Sequence, residues 1–310
     1  MRNARVLVTG GAGFIGSHLV DRLIKNGYNV TVLDNYFSGN KENLQVHLSS
    51  RKLELIKGDV RNSETVRKVV KDASAIFHLA AIVDVPLSIK EPKLTNDVNV
   101  NGILNVLEAS LAENVKNFIY TSTCAVYGEA VYLPINEEHP TMPLSPYGTS
   151  KLVAEDYCRN YSSYGLKICC LRLFNVYGSR QRLEPYSGVI TKFIQKIKED
   201  TSLVIFGDGK QTRDFIFVED VVEACMLAMR YMRKDAETYN IGTGKPTSIN
   251  ELADTLMQLL GKTGIKKIYK APKKGDIKNS YANISKARRT MKFEPKVKLE
   301  DGIKSLLETA

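Results

Sequence analysis

The sequence predicts an α/β protein with a doubly wound parallel sheet and a smaller C-terminal α/β lobe. Three observations indicate this fold: short apolar runs alternate with helical patterns, a glycine-rich turn directly follows the first run, and the alternation becomes irregular after position 175. The 310 residues, 43% of them hydrophobic, suffice for a large core. We expect one lobe over residues 1–174, to which part of 214–245 returns, and a second lobe over 175–310.

The predicted strands of the first lobe are short runs rich in β-branched residues, at 5–9, 29–33, 53–57, 75–79, 117–121 and 168–174. The helices between them follow a 3.6-residue apolar period, at 15–26, 63–71, 95–112 and 149–164. In the second lobe the same patterns predict a strand at 203–206 and helices at 189–198, 218–231 and 249–260. Each pair of parallel strands is thus joined by a helical crossover, which places helices on both faces of the sheet.

Composition excludes several classes of protein. No apolar run approaches the roughly 18 residues of a membrane helix, and the first apolar run reaches glycines too early for a signal peptide. The five cysteines include no CxxC, so neither a disulfide framework nor a metal site is expected. We therefore expect a cytoplasmic enzyme that is not bound to a membrane and holds no metal.

The net charge of +10 is concentrated near the C-terminus, where residues 266–310 hold 13 basic and 5 acidic side chains. This segment has few aromatic residues and carries a regular apolar pattern, which disfavours a nucleic-acid arm. A solvated basic surface and a surface near a small anionic ligand both remain compatible with the charge.

The turn after the first strand predicts a dinucleotide site. Gly10, Gly13 and Gly16 fit the spacing that lets backbone N–H groups approach a pyrophosphate at the start of a helix. The second strand is followed by Asp34, 18 positions after Gly16, where a carboxylate can accept hydrogen bonds from ribose hydroxyls. The same carboxylate would repel a 2′-phosphate, so the sequence favours NAD over NADP.

Residues after the next two strands fall at the same edge of the sheet, where ligands of parallel sheets bind. We expect Asp59 and Val60 to flank the adenine. Small residues after the fourth strand would let the cofactor lie against the backbone; these are Leu79, Ala80 and Ala81. Asn99, on the following helix, either supports the cofactor side of the site or merely bonds a neighbouring loop.

A tyrosine and a lysine four residues apart predict an acid–base pair. Tyr147 and Lys151 share one helix face, and a nearby ammonium, together with an oxidised nicotinamide, would lower the pKa of the phenol. Tyr147 is therefore the expected general base, assisted by Thr123 at the end of the fifth strand. An ordinary exposed pair is the alternative for this spacing alone.

Several segments together resemble the extended short-chain dehydrogenase/reductase family. They are GGAGFIG at 10–16, Asp34, HLAA at 78–81, NVNG at 99–102, TSTCAVYG at 121–128, YGTSK at 147–151 and LRLFNVYG at 171–178. Within that family the chain is most similar to the NAD-dependent UDP-hexose 4-epimerases, over essentially its whole length. The resemblance implies a Rossmann sheet and a bound NAD that is reduced and reoxidised in each turnover, while Tyr147 takes and returns the proton of the sugar 4-hydroxyl.

The resemblance also implies contact residues. For the cofactor these are Gly10, Gly13, Phe14, Ile15, Gly16, Asp34, Asn35, Phe37, Ser38, Gly39, Asp59, Val60, Leu79, Ala80, Ala81, Asn99, Thr121, Tyr147, Lys151, Phe174 and Val176. For the nucleotide sugar they are Val85, Ser88, Thr123, Cys124, Tyr147, Asn175, Ser187, Gly188, Val189, Phe193, Val204, Phe206, Arg213, Lys273, Asp276 and Ser280.

Subfamily residues point to epimerisation of a UDP-sugar. Dehydratases of this family carry an acidic pair, and decarboxylases a glutamate, where this chain has Cys124 and Ala125, so Cys124 is interpreted as a packing residue. Arg213 matches the diphosphate arginine, with an ion pair to Asp214 as the alternative. Lys273 stands where many relatives have a second arginine, which leaves that contact open, and Asp276 is placed to accept from ribose hydroxyls.

Substrate choice is expected to depend on Ser280. This position is large, usually tyrosine, in epimerases confined to UDP-glucose and UDP-galactose, so a serine would leave room for a 2-acetamido group; an alignment slip onto Tyr281 would reverse the inference. Arg180 and Ser187 could instead meet a uronate carboxylate, which keeps a UDP-glucuronate 4-epimerase or another nucleotide-sugar oxidoreductase open. A non-catalytic NAD-binding scaffold is a lesser alternative. The helices at 95–112 and 149–164 resemble the pair that forms a four-helix homodimer interface.

Overall fold

The structure, a computed structural model, describes residues 4–182, 188–232, 236–272, 275 and 277–308. The strands are β1 (Arg5–Thr9), β2 (Asn29–Asp34), β3 (Leu53–Lys57), β4 (Ala75–His78), β5 (Asn117–Thr123), β6 (Lys167–Leu173), β7 (Asn175–Tyr177), β8 (Leu203–Phe206), β9 (Thr212–Arg213), β10 (Phe215–Phe217), β11 (Glu237–Ile241), β12 (Thr247–Ser248), β13 (Lys267–Lys270) and β14 (Asn279–Ser280). The α-helices are α1 (Phe14–Lys25), α2 (Ser63–Val70), α3 (Val85–Lys90), α4 (Pro92–Asn96), α5 (Gly102–Ala112), α6 (Pro146–Ser163), α7 (Val189–Lys198), α8 (Val218–Tyr231), α9 (Ile249–Leu259), α10 (Ser285–Met291) and α11 (Leu299–Glu308).

A seven-stranded parallel sheet forms the centre of the molecule, in the order β11-β6-β5-β4-β1-β2-β3. One face packs against α1, α8 and α10, and the other against α2, α5 and α6. The predicted fold class, a doubly wound parallel sheet, is confirmed. Since the neighbours of β1 are β2 on one side and β4 on the other, successive crossovers diverge there and leave a crevice at the carboxyl ends of the strands.

Strand β11 was not among the predicted strands, although the sequence led us to expect that part of 214–245 returns to the first lobe. It pairs in parallel with β6, from Glu237 opposite Cys169 to Ile241 opposite Leu173. The preceding helix α8 packs on the same sheet face as α1. The exact boundary between the lobes stays a prediction.

The remaining strands form three small sheets in the second half of the chain: β10-β7, β12-β9-β14 and β13-β8. Most of these strands have two to four residues, which is too short for an alternating pattern to be recognised in the sequence. Helices α7, α9 and α11 close a separate apolar core beside them, with Phe193, Leu256 and Ile303 buried in it.

The helix predicted at 95–112 is divided. Helix α4 begins at Pro92, a π-helical turn covers Asp97–Asn101, and α5 continues to Ala112. The side chain of Asn99 lies in this turn and bonds the backbone of Ile82, a long-range contact that periodicity does not reveal. π-turns of this kind are frequent at functional sites.

Helix α6 begins at a well-defined cap. The hydroxyl of Ser145 accepts a hydrogen bond from the Gly148 N–H at 3.1 Å, and Pro146 occupies the first turn, where its missing N–H has no helical partner to lose. This start places Tyr147 at the first turn of α6 and Lys151 one turn later, on the side of the helix that faces β5.

Within the described ranges, no helix is both long enough and apolar enough to span a bilayer. The five cysteines are free thiols: Cys124 is half-buried, and Cys158, Cys169, Cys170 and Cys225 are buried.

Candidate active site

The glycine-rich turn between β1 and α1 forms a cradle in which Gly10 and Gly16 lie too close to neighbouring backbone to carry a Cβ. Gly10 has a φ of +70°, and a Cβ on it would lie 2.8 Å from the backbone nitrogen of Ala80. A Cβ on Gly16 would collide with the Gly10 carbonyl. Helix α1 begins at Phe14 with no side-chain cap, so its first N–H groups are available to an anion. The diphosphate of a dinucleotide fits this cradle.

Asp34 lies at the end of β2 with its carboxylate oriented by two backbone groups. Oδ2 accepts from the Ala12 N–H at 2.9 Å and Oδ1 from the Tyr36 N–H at 2.8 Å. Burial raises the pKa of Asp34, and these two bonds oppose that rise. Each oxygen keeps a further lone pair, so the carboxylate can accept from both hydroxyls of a ribose.

A cavity of about 410 Å³ runs from this cradle along the carboxyl edge of the sheet. Of the residues expected around the cofactor, those lining it are Gly10, Gly13, Phe14, Ile15, Gly16, Asp34, Asn35, Phe37, Ser38, Val60, Leu79, Ala80, Ala81, Thr121, Tyr147, Lys151, Phe174 and Val176. The catalytic candidate Thr123 lines it too.

Three expected cofactor residues do not line this cavity. Gly39 packs on Asp34, where a Cβ would lie 3.0 Å from both carboxylate oxygens. Asp59 accepts from Asn35 at 2.8 Å and pairs with Arg61, whose hydrogen bonds lower the Asp59 pKa to about 2. Asn99 bonds the N–H and carbonyl of Ile82 and the hydroxyl of Ser150. Asn99 thus bonds a neighbouring loop, and Ile82 of that loop lines the cavity, so its support of the cofactor side stays a prediction.

The end of the cavity nearest β5 holds the proposed acid–base group. Tyr147, Thr123 and Lys151 line this end of the cavity together. Burial raises the pKa of Tyr147 to about 12, and the interaction with Thr123 offsets only part of this rise. The lower pKa expected beside an ammonium and an oxidised nicotinamide stays a prediction. Burial likewise lowers the pKa of Lys151 to about 7, which weakens the ammonium as a source of positive charge.

A second cavity, of about 530 Å³, adjoins the second lobe. Of the residues expected around the nucleotide sugar, it is lined by Asn175, Val189, Phe193, Val204, Phe206 and Arg213. The Oδ1 atom of Asn175 is buried and has no hydrogen-bond partner among the described residues. A buried acceptor in that position is unusual, and it marks a place where a donor from a ligand is favoured.

Arg213 lines this cavity next to a carboxylate that is already used elsewhere. Both oxygens of Asp214 accept backbone N–H bonds, from Thr243 and from Gly244 and Ala282, at 2.7 to 3.1 Å. Asp214 therefore ties three chain segments together, and the suggested Arg213–Asp214 ion pair is not among the described contacts. The Nη1 atom of Arg213 donates to the Thr212 carbonyl at 2.8 Å.

The other expected substrate residues are more scattered. Cys124 directly follows the catalytic candidate Thr123, and burial raises the pKa of its thiol to about 11, an effect that the nearby Arg213 and Ser280 oppose. Ser280 lines neither cavity. Ser88 is buried, with its hydroxyl bonded to the Val85 carbonyl of its own helix, and Val85 is exposed; neither lines the two cavities. Gly188 precedes α7 outside both linings. Ser187, Lys273 and Asp276 lie outside the described residues.

Several polar residues around Lys151 were not identified from the sequence. The ammonium lies 4.3 Å from the ring centre of Tyr120. The buried side chains of His78 and Glu155 also interact with it electrostatically. Glu155 is four residues beyond Lys151, so extending the spacing from Tyr147 by one more helical turn would have found it. Nothing local in the sequence links Glu155 to its ion-pair partner, Arg172.

Comparison with known proteins gives a consistent family. The model of the NAD-dependent epimerase/dehydratase family matches residues 6–242. The structure of a UDP-glucose 4-epimerase from Thermotoga maritima with UDP-glucose has 40% sequence identity and a TM-score of 0.92, and the match covers 98% of this chain and 97% of that one.

Two further relatives bear on the choice of substrate and reaction. A UDP-N-acetylglucosamine 4-epimerase from Methanobrevibacter ruminantium, in complex with UDP-N-acetylmuramic acid, is 38% identical with a TM-score of 0.93, over all of both chains. A UDP-N-acetyl-alpha-D-glucosaminuronate decarboxylase from Bacillus cytotoxicus is 33% identical over 98% of this chain and 97% of its own.

Proposed function

Because the chain belongs to the NAD-dependent epimerase/dehydratase family, we propose that it inverts the configuration at C4 of UDP-hexoses, with NAD as its cofactor. The observation that carries this proposal is the meeting of Thr123, Tyr147 and Lys151 at the end of a cavity whose other end is a dinucleotide cradle. The supporting relatives include epimerases named for UDP-glucose and for UDP-N-acetylglucosamine.

The chain's own residues would orient the sugar and move one proton. NAD, when bound, supplies an acceptor and donor of hydride at the sugar carbon. Tyr147 would take the proton of the 4-hydroxyl at its Oη atom and return it after the 4-keto sugar has turned, while Thr123 holds the same oxygen. Lys151 would favour the phenolate. Arg213 and the Nδ2 amide of Asn175 would donate to the diphosphate oxygens in the second cavity, and the buried Oδ1 of Asn175 would accept from another group of the ligand.

The lining of the catalytic end favours epimerisation over decarboxylation or dehydration. Around Thr123 and Tyr147, the described residues that line the cavity include no carboxylate, and Asp34 lies at the adenosine end. The positions where related decarboxylases and dehydratases carry acidic groups hold Cys124 and Ala125. Elimination of water needs a positioned acid and base, which these side chains cannot provide at neutral pH.

We further propose that both glucose-type and acetamido sugars are substrates. Ser280 is buried on β14 and lies opposite Arg213 of β9, and Arg213 lines the second cavity. A serine there leaves space that a tyrosine would fill. The uronate alternative stays open: Arg180 lines the first cavity, and its Nη2 pairs with Asp21 at 2.8 Å while its buried Nη1 has no hydrogen-bond partner among the described residues.

Proton NMR of the anomeric region would test the function. Purified protein, without added NAD, is incubated separately with UDP-galactose, UDP-N-acetylgalactosamine and UDP-glucuronate. We expect the gluco epimers from the first two and no change in the third. Conversion of the uronate alone would replace the proposed substrates, and conversion of none, even with NAD added, would refute the epimerase and leave the scaffold alternative.

Replacing Ser280 by tyrosine should narrow the substrate range. The added ring would occupy the space of the 2-acetamido group, so kcat/KM for UDP-N-acetylgalactosamine should fall about tenfold or more relative to that for UDP-galactose. Tyr281→Ser serves as the matched control, since it changes the neighbouring position, and it should leave the ratio unchanged. Equal losses on both sugars in Ser280→Tyr would show that Ser280 does not select the substrate.

We also propose a homodimer whose four-helix interface is formed by α5 and α6 with the same helices of a second copy. Both helices carry half-buried apolar and aromatic residues, Leu111 on α5 and Val153, Tyr157 and Tyr161 on α6, and Leu111, Tyr157 and Tyr161 also touch the core beneath them. Sedimentation equilibrium should give twice the 34.6 kDa chain mass, and Tyr161→Glu should shift the protein toward the monomer. A monomeric wild-type protein at micromolar concentration would contradict this assembly.

A further inference from the structure

An ion pair is buried beneath the catalytic end of the site, between Glu155 on α6 and Arg172 on β6. Their side chains are only 1% and 5% exposed. Arg172 Nη2 donates to Glu155 Oε2 at 2.6 Å and Nε donates to Oε1 at 3.0 Å, so the guanidinium meets the carboxylate through two parallel bonds. A buried pair of this kind is weak evidence for stability by itself, because removing two charges from water costs several kcal/mol per ion. Stability alone therefore does not explain why the pair is present.

The pair is part of a network that fixes α6 against the sheet. The Ser122 hydroxyl of β5 donates to Glu155, and Ser122 stands between the cavity residues Thr121 and Thr123. Arg172 Nη1 donates to the Tyr127 hydroxyl at 2.9 Å, and that hydroxyl donates to Asn240 on β11 at 2.6 Å. The carboxylate of Glu155 is thus held in place from two strands.

The same carboxylate lies one helical turn from Lys151. Tyr147, Lys151 and Glu155 are spaced four residues apart on α6 and share a face, so successive Cβ atoms are about 5 to 6 Å apart. Lys151 is itself only 3% exposed. Little water reaches the ammonium, and its charge depends on the protein groups around it.

The described titratable groups that face Lys151 come from four elements. They are Tyr147, Glu155 and Cys158 on α6, His78 on β4, Tyr120 on β5 and Cys170 on β6. Burial keeps His78 neutral by lowering its pKa to about 3, and it raises the pKa of the Cys158 thiol and of the Tyr120 phenol. Glu155 is the one carboxylate in this set. Its negative charge raises the pKa of Lys151 more than any other of these groups does.

We propose that Glu155, anchored by Arg172 and Ser122, is a positioning residue that holds the Lys151 ammonium charged and in place beside Tyr147. The proposal rests on the proposed function for the role of Lys151 and extends it to a residue that touches neither substrate nor cofactor. Arg172 fixes the orientation of the carboxylate through its two parallel hydrogen bonds.

The test compares the pH dependence of kcat/KM for UDP-galactose in three proteins. Glu155→Gln keeps the shape of the side chain and removes its charge, so the alkaline limb of the profile should move to lower pH by about one unit or more. Asp156→Asn is the matched control, because it removes a carboxylate from the adjacent, exposed position that pairs with Arg159. Its profile should coincide with that of the wild type.

A double variant addresses folding, since Glu155→Gln leaves a buried guanidinium without its partner. Glu155→Gln with Arg172→Gln removes both charges, and its alkaline limb should lie between those of the wild type and the single variant. If both variants fold and keep the wild-type profile, or if neither folds, the pair serves only stability and the proposal is overturned.

An independent readout separates this proposal from the proposed function. The ¹³Cε resonance of Lys151, labelled with ¹³C-lysine and assigned by its loss in Lys151→Met, reports the titration of the ammonium with no turnover. A midpoint that falls in Glu155→Gln and not in Asp156→Asn supports the proposal even if the wild type converts no UDP-sugar. An unchanged midpoint refutes it even if epimerase activity is established.

Discussion

Tyr147→Phe is expected to reduce kcat for C4 epimerisation by about 10³-fold, while the protein still folds and retains NAD. The variant loses one hydroxyl, and that hydroxyl is the group placed to take the proton of the sugar 4-hydroxyl; loss of a positioned acid–base group costs about 10² to 10⁴ in rate. NAD content is measured from the absorbance of protein-released nucleotide, and turnover by proton NMR of the anomeric signals.

The comparison variant is Tyr164→Phe, which removes the same atom from the exposed residue directly after α6. Its turnover should equal that of the wild type. If Tyr147→Phe keeps more than about a tenth of wild-type kcat, another group must remove the proton, and the assignment of Tyr147 as base is wrong.

Lys151→Met should lower turnover and raise stability together. Methionine fills a similar volume without a charge, so the phenolate loses its nearby cation and kcat should fall about 10²-fold or more. The ammonium of Lys151 is buried, which is why its pKa lies near 7 in place of 10.5. Below pH 7 the folded protein carries a buried charge on Lys151, which lowers the free energy of unfolding by an amount on the order of a few kcal/mol. The variant has no charge at this position and is not destabilised in this way.

The stability difference between Lys151→Met and the wild type is expected to depend on pH. Between pH 7 and 10.5 the unfolded chain binds a proton on Lys151 that the folded chain has released, so wild-type stability rises with pH across this window. Lys151→Met lacks that rise, so its advantage is greatest below pH 7 and disappears above pH 10.5. Urea unfolding of NAD-free protein at pH 6.5, 8.5 and 10 would measure it, and a constant difference across the three would show that the buried charge of Lys151 is not the cause.

The first half of the fold was predictable because its signals are local. The glycines at 10–16 sit within one turn, Asp34 ends one strand, and Tyr147 and Lys151 are separated by one turn of helix. The structure brings these residues to one cavity. In the second half of the chain, the strand predicted at 203–206 is confirmed by β8. Most of the other short strands there were missed because two or three residues cannot display a period, and β11 was missed because its place beside β6 depends on the whole sheet.

Side-chain roles that depend on burial were the least predictable part of the site. Ser88 was expected at the substrate, but its hydroxyl turns back to its own helix. The burial of Tyr147, which raises the pKa of its phenol, is seen only in the folded structure. The Glu155–Arg172 pair joins a helix to a strand 17 residues later, and neither sequence spacing nor composition relates the two.

The path of the chain through its two cores limits how such a protein can be divided. After residue 174 the chain enters the small sheets, returns as α8 and β11 to cover the main sheet, leaves again for α9, and comes back as α10 before ending in α11. A fragment ending at residue 174 would lack part of the core on one sheet face, including Cys225 of α8, Tyr239 of β11 and Phe293. The second half of the chain is thus not a module that recombination could exchange in one piece, and new specificities in this architecture are most readily acquired by point changes around the two cavities.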